Sequence, residues 1–178
     1  EVAKRLYKEG ISMLTHSFNA MPGLHHRSPG PIGAAIKDGS ISLGLIADGI
    51  HVHPDVACFL LQLAPSQIVL VSDAIAPYGL QDGEYHWDKR VGYVSQQTCY
   101  LSDGTLAGTT LPLLEGCKNL SKWSGNASSA IWSATIAPRL VLNKLKRPEA
   151  FFVGQPLEKL LRWKQNFERN ELFWQHAA

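Results

Sequence analysis

The sequence predicts an α/β fold: the C-terminal part of a parallel, TIM-like (β/α)8 barrel joined to part of a small β domain. Three observations predict it. Short apolar runs at 11–16, 42–48 and 68–73 end in His16, Asp48 and Asp73, residues that can do chemistry. Helix-like stretches separate these runs in the order βαβαβ. Parallel barrels, moreover, place their catalytic groups at the carboxyl ends of strands. A doubly wound open sheet is the competing architecture, but it usually carries a glycine-rich phosphate turn after its first strand, and none follows residue 16. Three βα units cannot close an eight-stranded barrel, so the first and third strands are expected to keep partly unpaired apolar faces.

Residues 1–10 have helical character, with Gly10 placed to stop the helix. Because the chain opens at Glu1 without Met, it is expected to begin partway through a larger unit. A strand near 11–16 leads into a loop rich in Pro, Gly and His, a helix near 31–38 and a strand near 41–47. A helix at 54–64 and a strand at 67–72 complete the alternation. After the turn residues of 77–83, the alternating stretch of about 84–101 is expected to be a hairpin inserted in a loop. Pro112 fits a helix start in 111–120, and an amphipathic helix over 127–142 is expected to break at Pro138. Strand-like pieces at 160–163 and 172–175, separated by polar residues, suggest a hairpin on a small β layer. The expected division is a barrel portion, 1–149, and strands of the small β domain, 150–178.

With 178 residues and 45% hydrophobic content, the chain can bury a substantial core. Its net charge of +2 argues against a nucleic-acid partner. The basic cluster Arg139, Lys144, Lys146 and Arg147 is sparse, lacks interleaved aromatics, and reads as a solvated helix end. Cys58, Cys99 and Cys117 have neither disulfide-framework nor zinc-knuckle spacing. No signal segment or bilayer-length apolar run is visible, so no membrane partner and a cytoplasmic location are expected.

His16, just after a strand, suits a metal ligand or a strand-capping histidine. Asp73 suits a general base toward a metal-bound water, or a turn carboxylate. Arg27, near a helix start at Pro29-Gly30, suits a phosphate or carboxylate grip, or a plain surface cation. His25 and His26 add nothing specific. His51 and His53 have the spacing of a metal-binding pair, but Pro54 starts a helix there and weakens that reading.

Five segments in order carry a resemblance: Thr15 to Met21 (THSFNAM), Arg27 to Gly30 (RSPG), Ile46 to Val52 (IADGIHV), Leu70 to Ala74 (LVSDA) and Asp103 to Gly108 (DGTLAG). From about Ser12 to Leu142 the chain resembles the N-acetylglucosamine-6-phosphate deacetylases, a family of the metal-dependent amidohydrolase superfamily. Ala134, Thr135 and Pro138 look like that family's last barrel helix. The resemblance implies strands six to eight of the barrel, with His16 as a metal ligand after strand six. It also implies substrate contacts from Asn19, Ala20, Arg27, Asp48, Gly49, Ile50 and His51, with Arg27 on the phosphate and His51 the main contact of its segment. Asp73 becomes the catalytic aspartate after strand eight, and Leu106, Ala107 and Gly108 a loop over the sugar.

The implied reaction is hydrolysis of the N-acetyl amide of N-acetylglucosamine 6-phosphate to glucosamine 6-phosphate and acetate. A divalent metal, zinc first among zinc, iron, manganese and cobalt, would activate water; Asp73 would take its proton and return it to the amine. A homodimer is implied too. The alternatives are an enzyme for a related N-acyl sugar phosphate such as the galacto epimer, and a non-catalytic sugar-phosphate binder. The family's other ligands, a glutamate and a histidine on earlier strands, have no counterpart in this chain, which is therefore expected to be inactive alone and to bind metal poorly. Ser28 stands where relatives often have Glu, and the end of the chain keeps only the shape of the family's closing segment.

Overall fold

A computed structural model describes residues 1–87, 89–142 and 152–177. Lys144, Lys146 and Arg147 and the boundary expected at 149/150 lie outside the described residues. Helix α1 (Val2–Lys8) leads to strand β1 (Met13–Leu14), helix α2 (Gly30–Asp38), strand β2 (Ser42–Ile46), helix α3 (Pro54–Leu63) and strand β3 (Ile68–Val71). The three strands form one parallel sheet in the order β1-β2-β3, so the βαβαβ expectation holds. It stays open among the described residues, and no closed barrel forms.

Burial explains the strand sequences. β2 lies between its two neighbours and is buried on both faces, which is why Leu43, Gly44, Leu45 and Ile46 read as a continuous apolar run. Leu43 and Leu45 share one core with Ile32 of α2, Leu60 of α3 and Ile68 of β3. Gln67, itself buried, donates from Nε2 to the carbonyls of Ala35 (2.9 Å) and Ile41 (2.6 Å), tying the end of α2 to the start of β3. β1 is shorter than expected because the chain turns out of the ladder at Thr15 and His16.

The stretch expected as a single hairpin forms three strands, β4 (Gly83–Trp87), β5 (Arg90–Ser95) and β6 (Thr98–Leu101), of a four-stranded antiparallel sheet that β7 (Leu106–Thr109) completes. The turn at Gln96 and Gln97, both at positive φ, splits the alternating run into one more strand than alternation alone reveals. Leu106, Ala107 and Gly108, expected as a loop, lie in β7, which pairs with β6. β7 also meets the end of β3: Thr109 N–H donates to Asp73 O (3.2 Å) and Ile75 N–H to Thr109 O (3.0 Å).

Helices α4 (Leu113–Ser124) and α5 (Ala127–Val141) pack on each other, α5 also against β3. The expected break at Pro138 is absent. Proline there removes one amide donor in the final turn, and the turn still closes through Leu142 N–H to Pro138 O (3.1 Å). A short 3-10 turn (Leu157–Lys159) precedes the hairpin β8 (Leu161–Asn166) and β9 (Glu171–His176). The hairpin exists as expected but packs on a helix: β9 lies against α4, Leu172 enters the main core, and Asn170 Nδ2 donates to Lys122 O (2.8 Å).

All three cysteines are free, with Cys99 and Cys117 buried and Cys58 partly exposed. Burial pushes the Cys117 thiol up to about 11 and raises those of Cys58 and Cys99 as well. A thiol reagent at neutral pH is expected to modify Cys58 first and the other two only after denaturation. Counting modified thiols before and after adding guanidinium checks this, and three fast-reacting thiols in the native chain would contradict the packing.

Candidate active site

The site forms where the three parallel strands end. At β1, Gly44 on the neighbouring strand permits a close approach: a Cβ there would lie 3.0 Å from Leu14 O and 3.3 Å from His16 N. Ser17 N–H donates to Gly44 O at 2.6 Å, which draws the chain across the end of β2. His16 sits in this crossing with φ 30°, a left-handed conformation that costs about 1–3 kcal/mol and gathers at functional positions. Its Nδ1 faces Asn19 O at 3.1 Å, which makes Nδ1 the donor and leaves Nε2 as the open ligand atom. Asn19 Nδ2 donates to Ser17 O (3.3 Å), so this side chain is engaged within its own turn, while Ala20 is exposed at φ 52°.

At β2, Asp48 closes a turn on itself. One carboxylate oxygen, Oδ1, accepts the backbone N–H groups of Ile50 and His51, both at 2.9 Å. The other, Oδ2, meets His51 Nδ1 at 2.6 Å, with both side chains only 4% exposed. Burial alone would raise the Asp48 pKa; the hydrogen bonds from the His51 ring and the two amides outweigh it and hold the carboxyl below its ordinary 3.8. Gly49 and Ile50 are exposed at the tip of this turn. His53 caps α3 by accepting Asp55 N–H at 3.2 Å, so His51 and His53 do not form a ligand pair.

Because the folded Asp48 pKa is depressed, its stabilisation is present above the ordinary value and is lost as pH falls through the folded one. Asp48→Ala is therefore expected to cost about 1.5–3 kcal/mol near pH 7. That difference should shrink when urea unfolding of both proteins is repeated below about pH 4. A gap independent of pH would show that the carboxylate's charge is not what stabilises the turn.

At β3, Asp73 takes φ 54°, is about half exposed, and points its Oδ2 to within 4.0 Å of His51 Nε2. Its backbone is clamped by β7 through Thr109, and Gly108 lies so close that a Cβ there would be 2.9 Å from Asp73 O. The structure thus brings Asp48, His51 and Asp73 into one line. Arg27 stands apart from that line on an exposed turn closed by hydrogen bonds between His25 and Ser28, and its guanidinium makes no ion pair among the described residues.

Sequence reading missed the residues that brace these ends. Asn119 of α4 donates from Nδ2 to Ala47 O (3.0 Å), and Trp123 packs beside Gly49. The first link joins positions 72 apart, and no local pattern signals it. A catalytic divalent metal does not fit the described residues alone. His16 offers one open nitrogen, and no group of three or more His, Cys, Asp and Glu gathers among them.

No family model matches the chain. It is 36% identical over 128 residues to a protein of Escherichia coli (strain K12) named as a candidate N-acetylgalactosamine-6-phosphate deacetylase, covering 71% of this chain and 77% of that one. The chain belongs to the N-acetylglucosamine-6-phosphate deacetylase family. Another relative in this deacetylase family, the N-acetylglucosamine-6-phosphate deacetylase of Bacillus subtilis (strain 168), is 41% identical over 118 residues, 66% of this chain and 30% of the relative. Among solved structures, an Asp-to-Ala variant of the Mycobacterium smegmatis deacetylase in complex with N-acetyl-D-glucosamine-6-phosphate superposes with TM-score 0.75 and 26% identity, over 79% of this chain and 39% of that one. The deacetylase-family chain thus spans about a third of the length of the first curated relatives it matches.

Proposed function

We propose that this chain carries one side of the active site of an enzyme that hydrolyses the N-acetyl group of N-acetylglucosamine 6-phosphate, with glucosamine 6-phosphate and acetate as products. The observation that carries the reading is the convergence of His51 Nε2 and Asp73 Oδ2, 4.0 Å apart, at the carboxyl ends of neighbouring parallel strands. That gap exceeds a direct hydrogen bond and suits a shared water or substrate oxygen between the two groups. Asp73 accepts the proton of the attacking water and returns it to the departing amine. His51 orients the amide from the same side. Arg27 holds the phosphate away from the reacting carbon, so its binding energy orients the substrate, with Asn19, Ala20, Gly49, Ile50, Leu106, Ala107 and Gly108 as further sugar contacts.

Of the described residues only His16, through Nε2, would be offered to a divalent metal held mainly by groups outside this chain, and the chemistry such a metal would supply is activation of water. With no group of three or more possible ligands gathered among its described residues, the chain by itself is expected to bind zinc weakly and to release no acetate from the sugar phosphate. Zinc titration with a competing chelator, together with an acetate assay, checks both statements. Tight binding, or turnover by this polypeptide, would contradict them.

The test of the function is acetate release by a chimera in which this chain replaces the matching segment of the Bacillus subtilis relative. A second reading, the galacto epimer as substrate, is favoured by the Escherichia coli relative named for N-acetylgalactosamine 6-phosphate. The same chimera assayed with both epimers separates the two. Sugar-phosphate binding without hydrolysis of either epimer would support the non-catalytic reading.

A further inference from the structure

The geometry points to Asp48 as a positioning residue: its carboxylate fixes His51 in the Nδ1–H form and presents a bare Nε2 to Asp73, with no direct contact to the sugar. The argument starts from how Asp48 spends its acceptors. Oδ1 is taken by the amides of Ile50 and His51 at 2.9 Å, and Oδ2 by the His51 ring at 2.6 Å. Its side chain is 4% exposed, so little of the carboxylate remains for a ligand. An ionised carboxylate only accepts, and so the proton between the two groups belongs to Nδ1. In the neutral ring the opposite nitrogen carries a lone pair, aimed at the space beside Asp73.

The two backbone bonds make this arrangement unusually testable. In an Asp48→Asn variant, the atom facing the amides of Ile50 and His51 must remain an acceptor, so the carbonyl oxygen of Asn takes the place of Oδ1. The amide NH2 then faces His51 Nδ1 and donates to it, which forces the proton onto Nε2. A near-isosteric change thus inverts the ring's donor and acceptor ends, the kind of tautomer error that disables a histidine held by a carboxylate. The consequence for catalysis rests on the deacetylase reading; the tautomer does not.

The experiment is 15N-edited NMR of the histidine-labelled chain near pH 8.5, above the ordinary imidazole range of about 6.5. The His51 ring signals, one set among seven histidines, are assigned by their loss in His51→Gln. The expected result is a one-bond 1H–15N coupling at Nδ1 and none at Nε2 in the wild type, with the coupling moved to Nε2 in Asp48→Asn. The other histidine signals stay in place. A wild-type coupling at Nε2 overturns the proposal even where the variant does not fold, and so does a folded Asp48→Asn with the wild-type pattern. Since no turnover is measured, an enzyme that fails to deacetylate leaves this result intact and removes the functional reading alone.

Discussion

Asp73→Asn is expected to reduce turnover of N-acetylglucosamine 6-phosphate by about 10²–10⁴-fold, the usual contribution of a general acid and base. The measurement is kcat in the chimera described above. An asparagine amide can neither take the proton of the attacking water nor return one to the leaving amine. The backbone at 73 tolerates the change, because asparagine adopts the left-handed region as readily as aspartate does, and Asp73 already sits there at φ 54°. Unfolding midpoint and KM should therefore stay close to the parent values. Arg27→Ala supplies the contrast: it should mainly raise KM, with a far smaller loss of kcat than Asp73→Asn, since the phosphate contact is remote from the reacting carbon and takes no part in the proton transfers. A kcat untouched by Asp73→Asn would remove the aspartate from the mechanism.

Gly108→Val carries the largest expected loss of stability, about 3–5 kcal/mol from strain and overpacking together. Gly108 has φ 134°, a conformation that side-chain-bearing residues avoid. A Cβ there would stand 2.7 Å from Ile75 Cγ2 and 2.9 Å from Asp73 O, and the second obstacle is backbone that cannot swing aside. Because β7 reaches the end of β3 through Thr109, the same clash displaces Asp73. Gly104→Ala is the control: Gly104 also has positive φ, at 82°, but nothing lies within 4 Å of its Cβ position, so it reports backbone strain alone at about 1–2 kcal/mol. Urea unfolding of the two variants separates the effects, and equal losses would mean that close packing at Gly108 contributes nothing.

The parallel layer was legible because burial writes itself into short runs. Leu43 to Ile46 and Ile68 to Leu70 are buried on both faces and read as uninterrupted apolar segments. The start of the second helix was legible from Pro54, which opens α3, while the structure shows what closes α2, Gly39 in the left-handed region at φ 82°. The antiparallel part was read less well. Alternation in about 84–101 marks strands but not how often the chain reverses, and Gln96 and Gln97 make a left-handed turn without the glycine or asparagine that would announce it. Pro138 misled in the opposite direction, since one lost hydrogen bond in a last turn does not stop a helix held by α4 and β3.

By itself the order of residues determined that strands end in His16, Asp48 with His51, and Asp73, because strand period and turn chemistry are local and each candidate lies within a few residues of its strand. Only the tertiary structure decided how those ends meet. It turned His51 between two carboxylates, engaged Asn19 in its own turn, and made β7 a brace for Asp73. The reason is range. A hydrogen bond from Thr109 to Asp73, or from Asn119 to Ala47, depends on packing that brings distant segments to within about 3 Å, and no short window of sequence carries that distance.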